Sequence, residues 1–124
     1  MNDKIFNWLK GYPGLELLQH QQVEAVDGGC GLYFRGVTGK DSQPNLLGQT
    51  KKQKTAHFRL NRYGDRVESA VFFLLLGNWV EIQGASLGED YAATLKNERC
   101  IRDTGSGLTL WEADLDITYW EAAV

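Results

Sequence analysis

Cysteine and histidine are scarce in this 124-residue chain, with two of each. Cys30 and Cys100 lie far apart, with no CxxC and no paired histidine. They read as small core residues of a reduced, cytoplasmic protein, with a disulfide between them as the alternative. Long apolar runs are missing too. The most apolar segment, residues 70–76, is too short to cross a bilayer. The amino end lacks the basic head and apolar run of a signal peptide. No excess of one charge appears: the net charge of -3 gives the whole molecule no electrostatic pull towards nucleic acid or an anionic membrane. Repeats and low-complexity segments are absent as well.

The remaining composition is that of one folded domain. A hydrophobic share of 43%, 23% charged residues and 11% aromatics, with four Trp, argue against disorder. The length suffices for one real core and not for two. Helical spacing of Ile5, Phe6 and Leu9 predicts a short first helix over residues 3–10, ended by Gly11, Pro13 and Gly14. Weak alternation suggests a first strand over residues 23–26, and residues 31–37 read as a second. Residues 38–53 lack periodicity and read as a long flexible loop, at the tip of a hairpin closed by a strand over 55–63. In that strand Ala56, Phe58 and Leu60 face one way, His57, Arg59 and Asn61 the other.

Asp65-Arg66-Val67-Glu68 has capping-box form. It opens a buried helix over residues 65–83, with Gly84 as its stop. Val67, Val71, Leu74, Leu75 and Trp79 form one stripe, widened by Phe72, Phe73 and Leu76, which predicts the face that packs on the sheet. A strand over 95–102, a turn at 104–107 and a closing strand complete the chain. In that last strand Trp111, Ala113, Leu115, Ile117 and Tyr119 alternate with Glu112, Asp114, Asp116 and Thr118. The order α-β-β-β-α-β-β predicts an α+β domain, an antiparallel β-sheet with a long helix and a short N-terminal helix packed on it.

No catalytic signature emerges. His57 has no Ser, Cys or carboxylate at local motif spacing and reads as a surface histidine. Glu112, Asp114 and Asp116 form a carboxylate row, but a straight strand does not wrap a cation as calcium loops do. Gly28-Gly29-Cys30-Gly31 lacks the Lys-Ser/Thr ending of a phosphate loop. Charge is nonetheless segregated. Residues 51–66 hold Lys51, Lys52, Lys54, Arg59, Arg62 and Arg66 against Asp65, whereas Glu112, Asp114, Asp116 and Glu121 meet no base in the last fifteen residues. Such a chain suits packing against copies of itself; an ordinary solvated surface is the plain alternative. Arg59, Arg62 and Arg66 are the candidate basic half of a self-complementary interface, and Glu112, Asp114 and Asp116 the acidic half.

Leu76-Gly77-Asn78-Trp79-Val80-Glu81, a Leu-x-x-Trp-Val/Ile-Glu element ending a buried helix, precedes the closing strand with its Asp116-Ile117-Thr118-Tyr119 ending. Over roughly the carboxy-terminal half, this resembles the minor capsid and tail-terminator (tail completion) proteins of long-tailed phages. Residues 84–91 depart from that family, which often carries a longer polar linker with proline there. The resemblance implies a virion protein of the neck or tail end, assembled in the host bacterial cytoplasm. It implies self-assembly into a ring, often a hexamer, that docks on the tail tube and the head-side connector. It implies no enzyme activity, no cofactor, no membrane and no specific nucleic acid. Two other classes stay open. One is a small α+β enzyme using His57 and the carboxylates; the other is a nucleic-acid binder using the basic hairpin over residues 51–66.

Overall fold

Alternation and helical spacing resolve into two helices and five strands in the computed structural model, which describes residues 2–41, 51–105 and 107–122. Helix α1 is Asn2–Leu9, β1 is Gln19–His20, β2 is Cys30–Asp41 and β3 is Lys51–Gly64. Helix α2, Arg66–Gln83, runs into a 3₁₀ turn, Gly84–Leu87; β4 is Ala92–Asp103 and β5 is Thr109–Ala122. The sheet order is β1-β2-β3-β5-β4. Its pairs are antiparallel except β1 with β2, so the α+β expectation holds with one parallel edge.

The strand expected at residues 23–26 does not form; the two-residue β1 precedes it. The segment after β1 instead lies directly on the glycine cluster. A Cβ on Gly31 would stand 1.9 Å from the Gln22 carbonyl oxygen, and one on Gly29 would stand 2.1 Å from that of Glu24. These glycines are there for close backbone approach.

The core follows the period-two pattern. Ala56, Phe58 and Leu60 of β3 sit beside Ile117, Leu115 and Ala113 of β5, all buried, with Ala93 and Leu95 of β4 completing the floor. Ile5, Phe6 and Leu9 of α1 are buried over it, as their spacing implied. Trp8 stacks on Trp79 of α2, tying the two helices together.

Helix α2 begins as the capping signal implied. The Asp65 carboxylate accepts hydrogen bonds from the backbone N–H groups of Val67 (3.1 Å) and Glu68 (3.2 Å). Gly84 does not stop the helix by a left-handed turn: it keeps right-handed torsions (φ -56°, ψ -37°) into the 3₁₀ turn. Its missing side chain serves close approach to β4, where a Cβ would meet Ala93 N at 2.8 Å. The face that packs corrects the sequence reading. Ser69, Phe73, Leu76 and Val80 are buried, while Val67, Val71, Leu74 and Leu75 are exposed and Phe72 and Trp79 are half-buried. At about 100° per residue the two sets lie on opposite sides of the helix. Both are apolar, and the inner one is disguised by Ser69, whose hydroxyl accepts a 2.7 Å hydrogen bond from Arg62 Nη1. From Arg66 to Leu87 the helix and its turn are long and apolar enough to cross a membrane by length and composition, which corrects the expectation from residues 70–76 alone. Phe73, Leu76 and Val80 are nevertheless committed to the core.

The hairpin is longer than its sequence pattern implied. Residues 38–41 and 51–53, read as loop, belong to β2 and β3, paired from Thr38↔Thr55 to Asp41↔Lys52. The rest of the expected loop, residues 42–50, lies outside the described residues. Strand β3 of 14 residues extends about 45 Å, against about 27 Å for the 18-residue α2. Past Ala56 and Ile117, β2, β3 and β5 continue as a three-stranded arm, whose Tyr119 still packs against the core and stacks on Tyr91 at 5.6 Å. There Val37 is exposed, and Lys54 pairs with Glu121 at 2.5 Å.

Candidate functional site

The sheet face opposite the helices carries the charged half of each alternating strand. In register, His57, Arg59 and Asn61 of β3 stand beside Asp116, Asp114 and Glu112 of β5. Lys96 and Arg99 of β4 flank the same acids from the other side, opposite Asp114 and Glu112. Each carboxylate is thus set between two strands of cations.

The distances show how the row is engaged, with Arg59 Nε and Asp114 Oδ1, both buried, meeting as charges without a hydrogen bond. Arg59 Nε lies 3.5 Å from Asp114 Oδ1 and 3.7 Å from Glu112 Oε2. The Arg99 guanidinium contacts Glu112 and lies 3.8 Å from Asp114. A bulge in β4 puts Asn97 in the left-handed region, φ 58°, which asparagine tolerates. Its amide then donates to Asp114 Oδ2 at 3.0 Å. Asp116 accepts from Lys96 Nζ (2.8 Å) and from His57 Nδ1–H (2.8 Å).

Burial alone would raise the Asp114 pKa. The Asn97 hydrogen bond and the Arg99 and Arg59 guanidiniums outweigh it and hold the carboxyl below the usual range. The hydrogen bond and charge of Asp116 raise Lys96.

This arrangement changes the interface expectation. The three arginines do not form one patch. Arg59 is on the ionic face, whereas Arg62, an odd number of positions away, is on the helix side. There the Arg62 guanidinium covers the Phe72 ring at 4.5 Å and bonds Ser69. Arg66 is exposed in the first turn of α2. The acidic row Glu112, Asp114 and Asp116 takes its cations from β3 and β4 of the same chain. Complementarity between β3 and β5, read as a contact between copies, operates inside one subunit.

Two further features were not read from the sequence. A bulge between Phe34 and Gly36 leaves Arg35 without a cross-strand partner. It projects between two open hollows, of about 350 Å³ beside His57, Lys96, Asn97 and Asp116, and about 510 Å³ beside Tyr33, Arg59 and Asn61. Thr38 Oγ1 lies 2.8 Å from His57 Nε2. Hydroxyl, imidazole and the Asp116 carboxylate therefore stand in a chain, brought together by pairing across β2, β3 and β5. Sequence spacing hid this chain because its members are 19 and 59 positions apart.

Reactive and metal-binding groups are few. Burial pushes the Cys30 thiol up to about 11, against a lowering effect of Arg62, so it is a poor nucleophile. Both cysteines are free thiols. Among the described residues no group of three or more His, Cys, Asp or Glu converges to hold a metal ion. No protein-family model matches the chain, and no curated protein matches it.

Proposed function

We propose that this protein is a structural subunit of a phage virion, a tail terminator or tail completion protein of the neck, which assembles into a ring and docks on the tail tube and head connector without catalysing a reaction. The observation that supports this reading is the three-stranded arm of β2, β3 and β5, with Val37 and Trp120 exposed on it. An arm of paired strands with exposed apolar side chains can reach a neighbouring subunit. The element order and the Leu76–Glu81 and Trp111–Tyr119 patterns add the resemblance that names the assembly. Ring closure needs two different patches on each subunit; with the acidic row engaged internally, the arm is the better candidate for one of them.

The test is sizing in solution, alone and with the cognate tail-tube protein. A ring-sized species in either case is the expected result, weakened by Trp120→Ala and Val37→Asp on the arm. A protein that stays monomeric with the tube present removes the terminator reading.

One observation favours an enzyme as a second reading: the Thr38–His57–Asp116 chain has the order of a hydroxyl, base and orienting acid. Against it, Asp116 is shared with Lys96, and Thr38 is a ladder residue, with backbone committed to strand pairing and not to an oxyanion. Hydrolysis of p-nitrophenyl acetate that disappears in His57→Ala would favour the enzyme. The nucleic-acid reading loses support because Arg59, Arg62 and Lys54 are engaged within the chain.

A further inference from the structure

Helix α2 is apolar on two opposite faces, and only one is covered. On the outer face Val67 is 71% exposed, Leu74 65% and Ile82 74%, with Val71 and Leu75 about half exposed between them. Asn78 lies in the middle of this stripe, and the helix carries only three charges, Arg66, Glu68 and Glu81. Five aliphatic side chains so exposed, interrupted by Asn78, present on the order of 500 Å² of apolar surface, a size that marks an interaction site. Its backbone is already fixed by the Asp65 cap and by the buried face, so ordering costs on binding are small.

We propose that this stripe is a self-association surface on which α2 packs antiparallel against α2 of a second copy. Three arguments select that occupant. The stripe is self-complementary about its midpoint. Reversed, it sets Val67 against the second copy's Ile82, Leu74 against its Leu75, and Val71 against its Asn78.

The charges also fit. The last turn of α2 has no basic residue and carries Glu81 close to the negative end of the helix dipole. Among the described residues neither Arg66 nor Glu81 has an ionic partner. Antiparallel pairing brings Arg66 of one copy to the Glu81 end of the other, twice, and opposes the two helix dipoles. A lipid surface fits less well, because an interfacial helix normally has a Lys/Arg-rich polar face, whereas α2 has one base.

Finally, two such stripes together bury on the order of 1,000 Å², near the lower bound for a specific interface, which fits a reversible pairing. The contact is two-fold and does not by itself close a ring. It therefore goes beyond the ring proposed above and is separable from it.

The experiment combines sizing with site-directed cross-linking in full-length protein carrying Cys100→Ser. The wild type is expected to shift from monomer to dimer with rising concentration. Val71→Glu with Leu75→Glu should remain monomeric at concentrations that dimerise the wild type. Its thermal midpoint should match the wild type's when both are compared dilute enough to be monomeric, because both sites are exposed. With a short bis-maleimide, Leu75→Cys should cross-link to itself. Val67→Cys alone should not, but a mixture of Val67→Cys and Ile82→Cys protein should.

A double-glutamate variant that dimerises like the wild type overturns the proposal, as does self-cross-linking of Val67→Cys, the mark of parallel pairing. Co-flotation of wild type, but not of the double variant, with vesicles of phosphatidylcholine and phosphatidylglycerol assigns the stripe to lipid and overturns it too. Tube-dependent rings formed equally by the double variant leave the assembly function standing, so the two readings fail separately.

Discussion

The two faces of the central sheet are built from the same strands in an alternation interrupted by the bulges of β2 and β4, yet they are held by different physics. On one, Phe58, Leu60, Leu115 and Ile117 are removed from water under two helices. On the other, no helix intervenes, and Glu112, Asp114 and Asp116 are held by cations two strands deep. The apolar face gains from area, so its energy is large and insensitive to salt and pH. The ionic face exchanges water for partners at partial exposure, so its net contribution is small, while loss of one partner leaves a half-buried charge behind. Stability and placement are thus divided: one face makes the fold and the other sets strand neighbours.

The largest effect that sharpens this contrast is cavity formation on the apolar face. Leu115→Ala and Leu76→Ala should each cost about 2–5 kcal/mol, because both side chains are fully buried and the space cannot refill. Urea denaturation checks it. A cost below about 1 kcal/mol at both positions would mean that the helix layer does not rest on the sheet as described.

An intermediate effect belongs to the ionic face. Arg59→Ala should cost about 1–2 kcal/mol, since Asp114 and Glu112 keep only their β4 partners. Asp114→Asn in the same chain should recover part of that loss, a coupling that a double-mutant cycle measures. The acid limb carries the same information. Asp114 titrates lower folded than unfolded, so its stabilisation is present above its unfolded value and lost as the pH falls through its folded one. Stability should fall less steeply with acid in Asp114→Asn than in the wild type. Equal acid slopes would separate Asp114 from the network.

Much of this division was legible in the chain, because period-two alternation in residues 55–63 and 111–119 assigns each side chain to a face without ambiguity. Spacing also found Asp65 as a cap and Ile5, Phe6 and Leu9 as the buried side of α1. Two kinds of information were not local. Partner strands decide whether an acidic row is open or closed, and Lys96 and Arg99 reach it only through sheet order and a bulge in β4. Likewise, residues 38–41 look like loop by composition, yet they pair because residues 52–55 lie opposite them. Arg59, Arg62 and Arg66 do not share one patch, because three residues along β3 reverse the face and Arg66 already lies in α2.

The smallest expected effect on stability tests the region where sequence and structure part most sharply. A periodic stripe fixes the buried side of a helix only when the opposite side is polar. In α2 both sides are apolar, and the inner one contains Ser69, so the sequence pattern favours the wrong stripe. Leu75 and Leu76 are adjacent and chemically identical, yet one is half exposed and the other has no exposure at all. Leu75→Ala should therefore change the stability of the monomer by no more than about 0.5 kcal/mol, the range of ordinary surface substitutions. The comparison must be made at a concentration low enough to keep the protein monomeric, since association would add stability by mass action. At higher concentration the same substitution should lower the associated fraction, because it removes apolar surface only from the outer stripe. A monomer destabilised by 2 kcal/mol or more would place Leu75 in the core and restore the stripe read from periodicity. A silent substitution at both concentrations would leave the inner face assignment intact and deny the outer face its partner.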